Sequence, residues 1–345
     1  MATDPAGNVY VACLSSHNAF RITPAGVITE IIDSSGDGVG GSLTSAVGVA
    51  TDASGNAYVT GGGSHNVFQI TPGGVITEII DSSGDGAGHT LAGAQSVAVD
   101  GAGNVYVTGY SSNNVFQVTP GGVITEIADS TGDGAGHILS GSSGIATDAA
   151  GNVYVASTSG DCVFRIDTPA GCSTTGTPCT ITAIIDSSGD GAGNTLSMSE
   201  SVAVHPAGHV FVTGFNTSNV FWITPGGVIT QVIDSTGDGV SSLSSPRGVA
   251  VDPLGDLFVT GYNSSNAFRI GVFGCTGICG DCNGDGVGPG IVDALIAAQI
   301  ATATLSPDIC QSSLCDINSS TTIDVLDALL MAQVAVGLTP VLNCP

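Results

Sequence analysis

Residues 96–134 read SVAVDGAGNVYVTGYSSNNVFQVTPGGVITEIADSTGDG. Four short runs rich in Val, Ile, Tyr, Phe and Thr are separated by Gly, Asn and Pro turn signals, and none shows the 3.6-residue period of a helix. SVAVD, NVYVT, NVFQVTP and VITEI are therefore expected as consecutive strands a to d, with PGG as the c–d hairpin. The unit recurs. GNVYV-like segments begin at Gly7, Gly55, Gly103, Gly151, Gly208 and Gly255, at intervals of 48, 48, 48, 57 and 47 residues, and the insertion DTPAGCSTTGTPC around Cys172 accounts for the long one. Four strands per unit, six times over, predict an all-β fold: a six-bladed β-propeller over residues 1–272. The Gly and β-branched content excludes helical solenoids. The sixth unit supplies a, b and c, but GVFGCTGICGDC follows where strand d is expected, so the ring is expected to close with strands from both chain ends.

The 345 residues carry 25 Asp, four Glu, four Arg and no Lys, a net charge of −25. Such a chain cannot neutralise a phosphate backbone, which excludes nucleic acid as a partner and leaves divalent cations, glycans and proteins. With 42% hydrophobic residues and 52 Gly it can bury a large core and is not disordered in composition. Four cysteines, Cys13, Cys162, Cys172 and Cys179, lie in the first 270 residues, and Cys275, Cys279, Cys282, Cys310, Cys315 and Cys344 crowd the end. This usage points to an oxidising compartment, outside the cell or at its surface, with Cys172 and Cys179 closing their insertion. No stretch is long and apolar enough to span a membrane. The opening MATDPAGNVYV already lies within a repeat, so a leader is expected to have preceded it.

DSSGDG or DSTGDG follows strand d five times, placing Asp33 and Asp37, Asp81 and Asp85, Asp129 and Asp133, Asp186 and Asp190, and Asp234 and Asp238 at positions 1 and 5 of half a calcium loop. The second half is absent: position 9 is Gly41, His89, His137, Asn194 or Ser242, and position 12 is Thr44, Ala92, Ser140, Ser197 or Ser245. Half a cage predicts weak calcium binding at best, and the competing reading is that these aspartates cap glycine turns. The d–a and b–c connections share one face, where His17, His65, His89 and His137 recur at repeat positions and read as parts of the repeat rather than as a catalytic set.

The sharper metal signal is C-terminal. DCNGDG supplies Asp281, Asn283 and Asp285 at loop positions 1, 3 and 5, with Asp293 closing one residue late, after GPG. The second copy, DINSSTTIDVLD, supplies Asp316, Asn318, Ser320, Thr322, Asp324 and Asp327 at positions 1, 3, 5, 7, 9 and 12. VDALIAAQIA and LDALLMAQVA follow as duplicated stretches of helix length, 34 residues apart. Ser320 replaces an aspartate and Thr321 a glycine, which lowers the charge available to an ion. The alternative is a disulfide-stapled helical hairpin that needs no ion. Asn216, Asn263 and Asn318 begin N-x-S/T sequons, and Trp222 takes the place of Gln69 and Gln117 in strand c.

The pattern GVAVD..GN.YV....NNVF.ITPGGVIT, followed by GDG, resembles the NHL-repeat and gluconolactonase-like propellers over about residues 1–272. NHL repeats serve as binding platforms. ITPGGVITE also resembles the blade pattern of the streptogramin lyases, seven-bladed enzymes that use a divalent metal. The metal ligands of the gluconolactonase type find no position-by-position match, and Glu30, Glu78 and Glu126 recur in strand d, outside the channel. About residues 280–340, within a disulfide-rich C-terminal module expected at 273–345, resemble a dockerin, which implies a small helical module holding Ca2+ and docking to a cohesin-like or other extracellular protein.

The expected function is thus a secreted, non-catalytic binding or scaffolding protein. Its propeller recognises a ligand at the acidic face or the channel mouth, and its C-terminal module docks in a calcium-dependent way. One alternative is a metal-dependent lyase or lactonase with its site in the channel. Another is a structural component of an extracellular assembly that binds itself.

Overall fold

The structure, a computed structural model, describes residues 1–167, 172, 178–252 and 255–271. The expected helical module, with Asp281, Asn283, Asp285, Asp293, Asp316, Asn318, Ser320, Thr322, Asp324 and Asp327, lies outside the described residues. The chain divides into two compact units, Met1–Ala250 with Val259–Phe268, and Val251–Phe258 with Arg269–Pro345. In the second unit the Arg269 guanidinium pairs with the Asp256 carboxylate.

Six antiparallel sheets follow one another along the chain, the blades of a propeller. Blade 1 is β1 (Ala2–Thr3), β2 (Val9–Cys13), β3 (Asn18–Ile22) and β4 (Ile28–Ile32). Blade 2 is β5 (Ala46–Thr51), β6 (Ala57–Gly61), β7 (Asn66–Ile70) and β8 (Ile76–Ile80), and blade 3 is β9 (Ala94–Val99), β10 (Val105–Gly109), β11 (Asn114–Val118) and β12 (Ile124–Ala128). Blade 4 is β13 (Ser142–Thr147), β14 (Val153–Ser157), β15 (Cys162–Asp167) and β16 (Thr180–Ile185). Blade 5 is β17 (Ser199–Val204), β18 (Val210–Gly214), β19 (Asn219–Ile223) and β20 (Ile229–Ile233). Blade 6 shows β21 (Pro246–Val251), β22 (Asp256–Gly261) and β23 (Asn266–Gly271) among the described residues. The four expected runs of residues 96–134 are β9 to β12, paired in sequence order.

The core lies between blades rather than within one. One cluster joins Tyr10, Ala19 and Ile32 of blade 1 to Val59, Phe68 and Ile70 of blade 2, and the same arrangement links blades 2 and 3, 3 and 4, and 4 and 5. Each d–a connection adds one buried leucine: Leu43, Leu91, Leu139, Leu196 and Leu243. A single blade cannot bury both faces of its sheet, so each repeat is stable only against its neighbours.

The first strands of successive blades lie side by side at the centre. A Cβ on Gly48 would sit 2.9 Å from the Gln95 carbonyl oxygen, and one on Gly144 would sit 2.7 Å from that of Glu200. The position is Gly48, Ser96, Gly144, Ser201 and Gly248 in turn, so Gly48 and Gly144 leave room for the backbone at Ser96 and Ser201 in the next blade. Hydroxyls in or directly after strand b stitch neighbouring blades through strand-a carbonyls: Thr108 Oγ1 donates to the Ser143 carbonyl at 3.0 Å, and Thr158 Oγ1 to that of Ser199 at 3.0 Å.

Candidate functional site

The recurring GDG loop can be built atom by atom. In the first copy Asp33 Oδ1 accepts from the Ser35 N–H at 2.8 Å and its hydroxyl at 2.5 Å, while Asp37 Oδ1 accepts from the N–H groups of Val39, Gly40 and Gly41. Asp81, Asp129, Asp186 and Asp234 repeat the first set with Ser83, Thr131, Ser188 and Thr236. Asp85, Asp133, Asp190 and Asp238 repeat the second with Ala87, Ala135, Ala192 and Val240. The first glycine of GDG is required by space, since at φ +63° a Cβ on Gly36 would lie 1.8 Å from the Gly41 carbonyl oxygen. These bonds, led by that of the Ser35 hydroxyl, hold Asp33 below the usual carboxylate range. In the fifth copy the loop is one residue shorter, so Ser241 rather than Ser242 closes it, its carbonyl accepting from the Asp238 N–H. In the first copy all of these bonds fall on Oδ1 of the two carboxylates. Among the described residues no three His, Cys, Asp or Glu side chains converge as metal ligands.

The histidines take structural places. His89 Nδ1 and Asp85 Oδ2 lie 2.6 Å apart, as do His137 Nδ1 and Asp133 Oδ2. The Asp85 bond, and beyond it the Glu126 charge, raises the His89 pKa. His17 and His65 instead bridge blades: His17 Nδ1 accepts from the Ser45 N–H at 2.8 Å, and His65 Nδ1 from the Gly93 N–H at 2.9 Å. Asn113 accepts from Gly141, Asp161 from Met198 and Ser218 from Ser245 in the same way. All five acceptors, and the residues they hold, have positive φ. Asn, Asp and His are the non-glycine residues that tolerate this region best. This clasp was not legible as a function in the sequence; its one trace is a polar residue directly before the strand-c Asn. His65→Ala is expected to cost about 1 kcal/mol in urea unfolding, and His65→Asn, the residue blade 3 uses, to cost almost nothing; equal losses in both variants would remove the clasp from the account.

Glu30, Glu78 and Glu126 are structural too, each accepting from a strand-c amide: Asn18, Asn66 and Asn114. Cys172 and Cys179 form a disulfide, while Cys13 and Cys162 are free. Burial pushes the Cys162 thiol up to about 12, which keeps it inert.

At the opposite end of the blades, the a–b turns of blades 1 to 4 each hold a carboxylate network. Asp52 accepts from the N–H groups of Ser54 and Asn56, from Asn56 Nδ2 at 2.7 Å and from the Tyr58 hydroxyl at 2.9 Å, and Gln69 Nε2 reaches that hydroxyl at 3.0 Å. Asp4, Asp100 and Asp148 repeat the set with Tyr10, Tyr106 and Tyr154. Blade 5 replaces the Asp, Asn, Tyr and Gln of blades 2 and 3 with His205, His209, Phe211 and Trp222. There Trp222 Nε1 donates to His209 Nδ1 at 3.0 Å, and the Ala207 N–H donates to His205 Nδ1 at 3.0 Å.

One group of partly exposed polar and aromatic side chains gathers where strand a begins in blades 5 and 6. Arg247 Nε donates to Glu200 Oε2 at 2.8 Å, and its Cζ lies 5.2 Å from the Tyr262 ring centroid. The Phe215 and Tyr262 rings are 6.4 Å apart and tilted by 39°. Tyr262 is 59% exposed. Arg247 and Glu200 occupy the second position of strand a, and Phe215 and Tyr262 the residue after strand b, so the fold brings two equivalent pairs from adjacent blades together. Separations of 47 residues conceal this from the sequence, which had marked none of the four.

Residues 86–117, from the GDG loop into strand c of blade 3, match the family model described as Beta-propeller repeat. No curated protein matches the chain. Among solved structures, the chain is similar to virginiamycin B lyase from Staphylococcus aureus, at 16% identity and a TM-score of 0.55, covering 77% of this chain and 76% of that one. It is also similar to a structure of the nidogen/laminin complex, at 15% identity and TM-score 0.53, covering 76% and 89%. An auxiliary nutrient binding protein from Bacteroides thetaiotaomicron shows 14% identity and TM-score 0.55, covering 77% and 67%. At such identities the likeness is one of fold: the chain is a six-bladed β-propeller among proteins of different activities.

Proposed function

We propose that the chain is a secreted, non-catalytic binding protein. Its propeller recognises a ligand at the inner ends of blades 5 and 6, and its C-terminal segment docks to an extracellular partner through calcium loops. The observation that carries the reading is the Arg247–Glu200–Tyr262–Phe215 cluster, an exposed tyrosine and a half-buried phenylalanine beside a guanidinium, with Tyr and Arg among the residue types in which binding energy concentrates. Two structural neighbours are named for association, a nidogen/laminin complex and a nutrient binding protein. The test is to probe arrays of peptides and glycans with the full chain and with Tyr262→Ala, and to recover any bound ligand for mass spectrometry. Binding lost in the variant, with the ligand recovered unchanged, is the expected result. Binding indifferent to Tyr262 would move the site elsewhere, and a ligand recovered with altered mass would favour the lyase or lactonase alternative.

Calcium belongs, in this proposal, to the loops at Asp281 and Asp316. Calorimetric titration of the full chain is expected to show about two ions, and Asp285→Ala with Asp324→Ala to abolish uptake. Uptake that survives both substitutions would assign the ions to the GDG loops.

A further inference from the structure

Resting on that binding role, we propose that the blade 5–6 cluster takes a neutral saccharide. Electrostatics narrows the choice of ligand first. The chain carries −25, and Arg247 is already neutralised by Glu200, so the cluster offers an anion no net positive charge and stands in a field that repels it. A cationic ligand on Tyr262 would meet the like charge of the Arg247 guanidinium, which already lies over one face of that ring. An apolar peptide segment would strip water from the Arg247–Glu200 pair without returning hydrogen bonds, a desolvation cost that burial alone does not offset.

A sugar ring meets all three features together. Its C–H-rich face stacks on an exposed aromatic ring, and the Phe215 and Tyr262 rings, tilted by 39°, form a splayed platform rather than a closed stack. Vicinal hydroxyls both donate and accept, and the guanidinium and carboxylate, 2.8 Å apart, present a donor and an acceptor side by side. Asn216, exposed on the b–c turn directly after Phe215, adds an amide on one flank; the equivalent Asn263 spends an Nδ2 hydrogen on Ser245 Oγ and offers its remaining amide atoms. Hydroxyls replace the water that these groups lose, so charge desolvation is largely compensated. The site uses few charged groups and one aromatic pair, which fits a ligand bound by shape and hydrogen bonding with little dependence on salt.

The experiment is calorimetry, supported by affinity electrophoresis, of the full chain against defined neutral oligosaccharides of glucose, xylose, mannose and N-acetylglucosamine. Oligomers of galacturonic acid and the peptides retained in the array experiment serve as comparison probes. One neutral series is expected to bind, with affinity that barely changes between low and moderate salt. Tyr262→Ala is expected to weaken it by about tenfold or more and Tyr262→Phe to leave it nearly intact. Arg247→Ala is expected to weaken it severalfold. Both positions are exposed, and unchanged melting curves confirm that the three variants fold. Preference for the uronic acid series, binding suppressed by salt, or neutral binding unmoved by Tyr262→Ala would overturn the proposal. If only a peptide binds and Tyr262→Ala abolishes it, the saccharide assignment fails while the binding site stands; if no probe responds to Tyr262, both fail.

Discussion

Replacing Asp52 by alanine is expected to lower the unfolding free energy by about 3 kcal/mol and the melting temperature by about 6–12 °C. The size follows from what one carboxylate holds. Two backbone N–H groups, the Asn56 amide and the Tyr58 hydroxyl all donate to it, and Tyr58 is 3% exposed, so its hydroxyl has little access to replacement water. Asp52→Asn keeps one acceptor oxygen but turns an amide N–H2 toward the donors, so an intermediate loss of about 1–2 kcal/mol is expected. The network also carries a pH signature. Burial of Asp52, its largest single influence, acts to raise the pKa, but the bonds from Asn56, Tyr58 and Ser54 together outweigh it and hold the group below the usual carboxylate range. A carboxyl whose folded pKa is depressed stabilises the fold above its unfolded value near 3.9, and that contribution is lost as pH falls through the depressed value. Thermal unfolding at pH 7 and pH 3 should therefore show the wild type and Asp52→Ala converging in acid. Burial, followed by the Asp52 bond and charge, pushes Tyr58 up to about 12, and in the variant its phenolate absorbance should appear at lower pH. A melting temperature for Asp52→Ala within about 2 °C of the wild type at pH 7 would sink the account.

Restoring the blade 2 pattern to blade 5 is the second large effect. The fourfold variant His205→Asp, His209→Asn, Phe211→Tyr and Trp222→Gln is expected to remove an acid-sensitive element. His205 and His209 are 1% and 5% exposed, their rings 6.3 Å apart. Burial, and after it the charge of His205, lowers the His209 pKa to about 4. The unfolded chain takes up its proton near pH 6.5 and the folded one only near 4, so the neutral-His contribution is present above pH 6.5 and is lost as pH falls toward 4. A shift of that size is worth about 3 kcal/mol. Urea midpoints from pH 7 to pH 4 should fall in the wild type and stay nearly level in the fourfold variant until its new carboxylate begins to protonate. A parallel decline in both would place the acid sensitivity elsewhere. Because the four positions touch one another, the single variants are not expected to add, and His205→Asp alone should be worse than the wild type.

How much of this was legible beforehand depends on the range over which each feature is encoded. Period-two runs and Gly, Asn and Pro turns lie within 40 residues, and a 48-residue repeat multiplies the signal six times, so strand order, blade number and the shared face of the d–a and b–c connections followed from the sequence. The turn reading of DSSGDG was legible for the same reason, since Asp33 and Asp37 bond groups two to four residues away. The structural role of Glu30, Glu78 and Glu126 followed from their recurrence.

Tertiary structure alone decided what depends on contacts between blades. The clasps reach from His17 to Ser45 and from Asp161 to Met198, and their residue types vary from blade to blade because any short acceptor in the left-handed region suffices. The candidate site is harder still to read from the sequence. Arg247, Glu200, Phe215 and Tyr262 stand at positions whose residue the repeat does not fix, and variation there has no meaning until the fold shows which residues meet. Repetition determined the architecture because every blade must bury the same face against its neighbour; recognition was decided by the few positions where packing leaves the side chain free to differ.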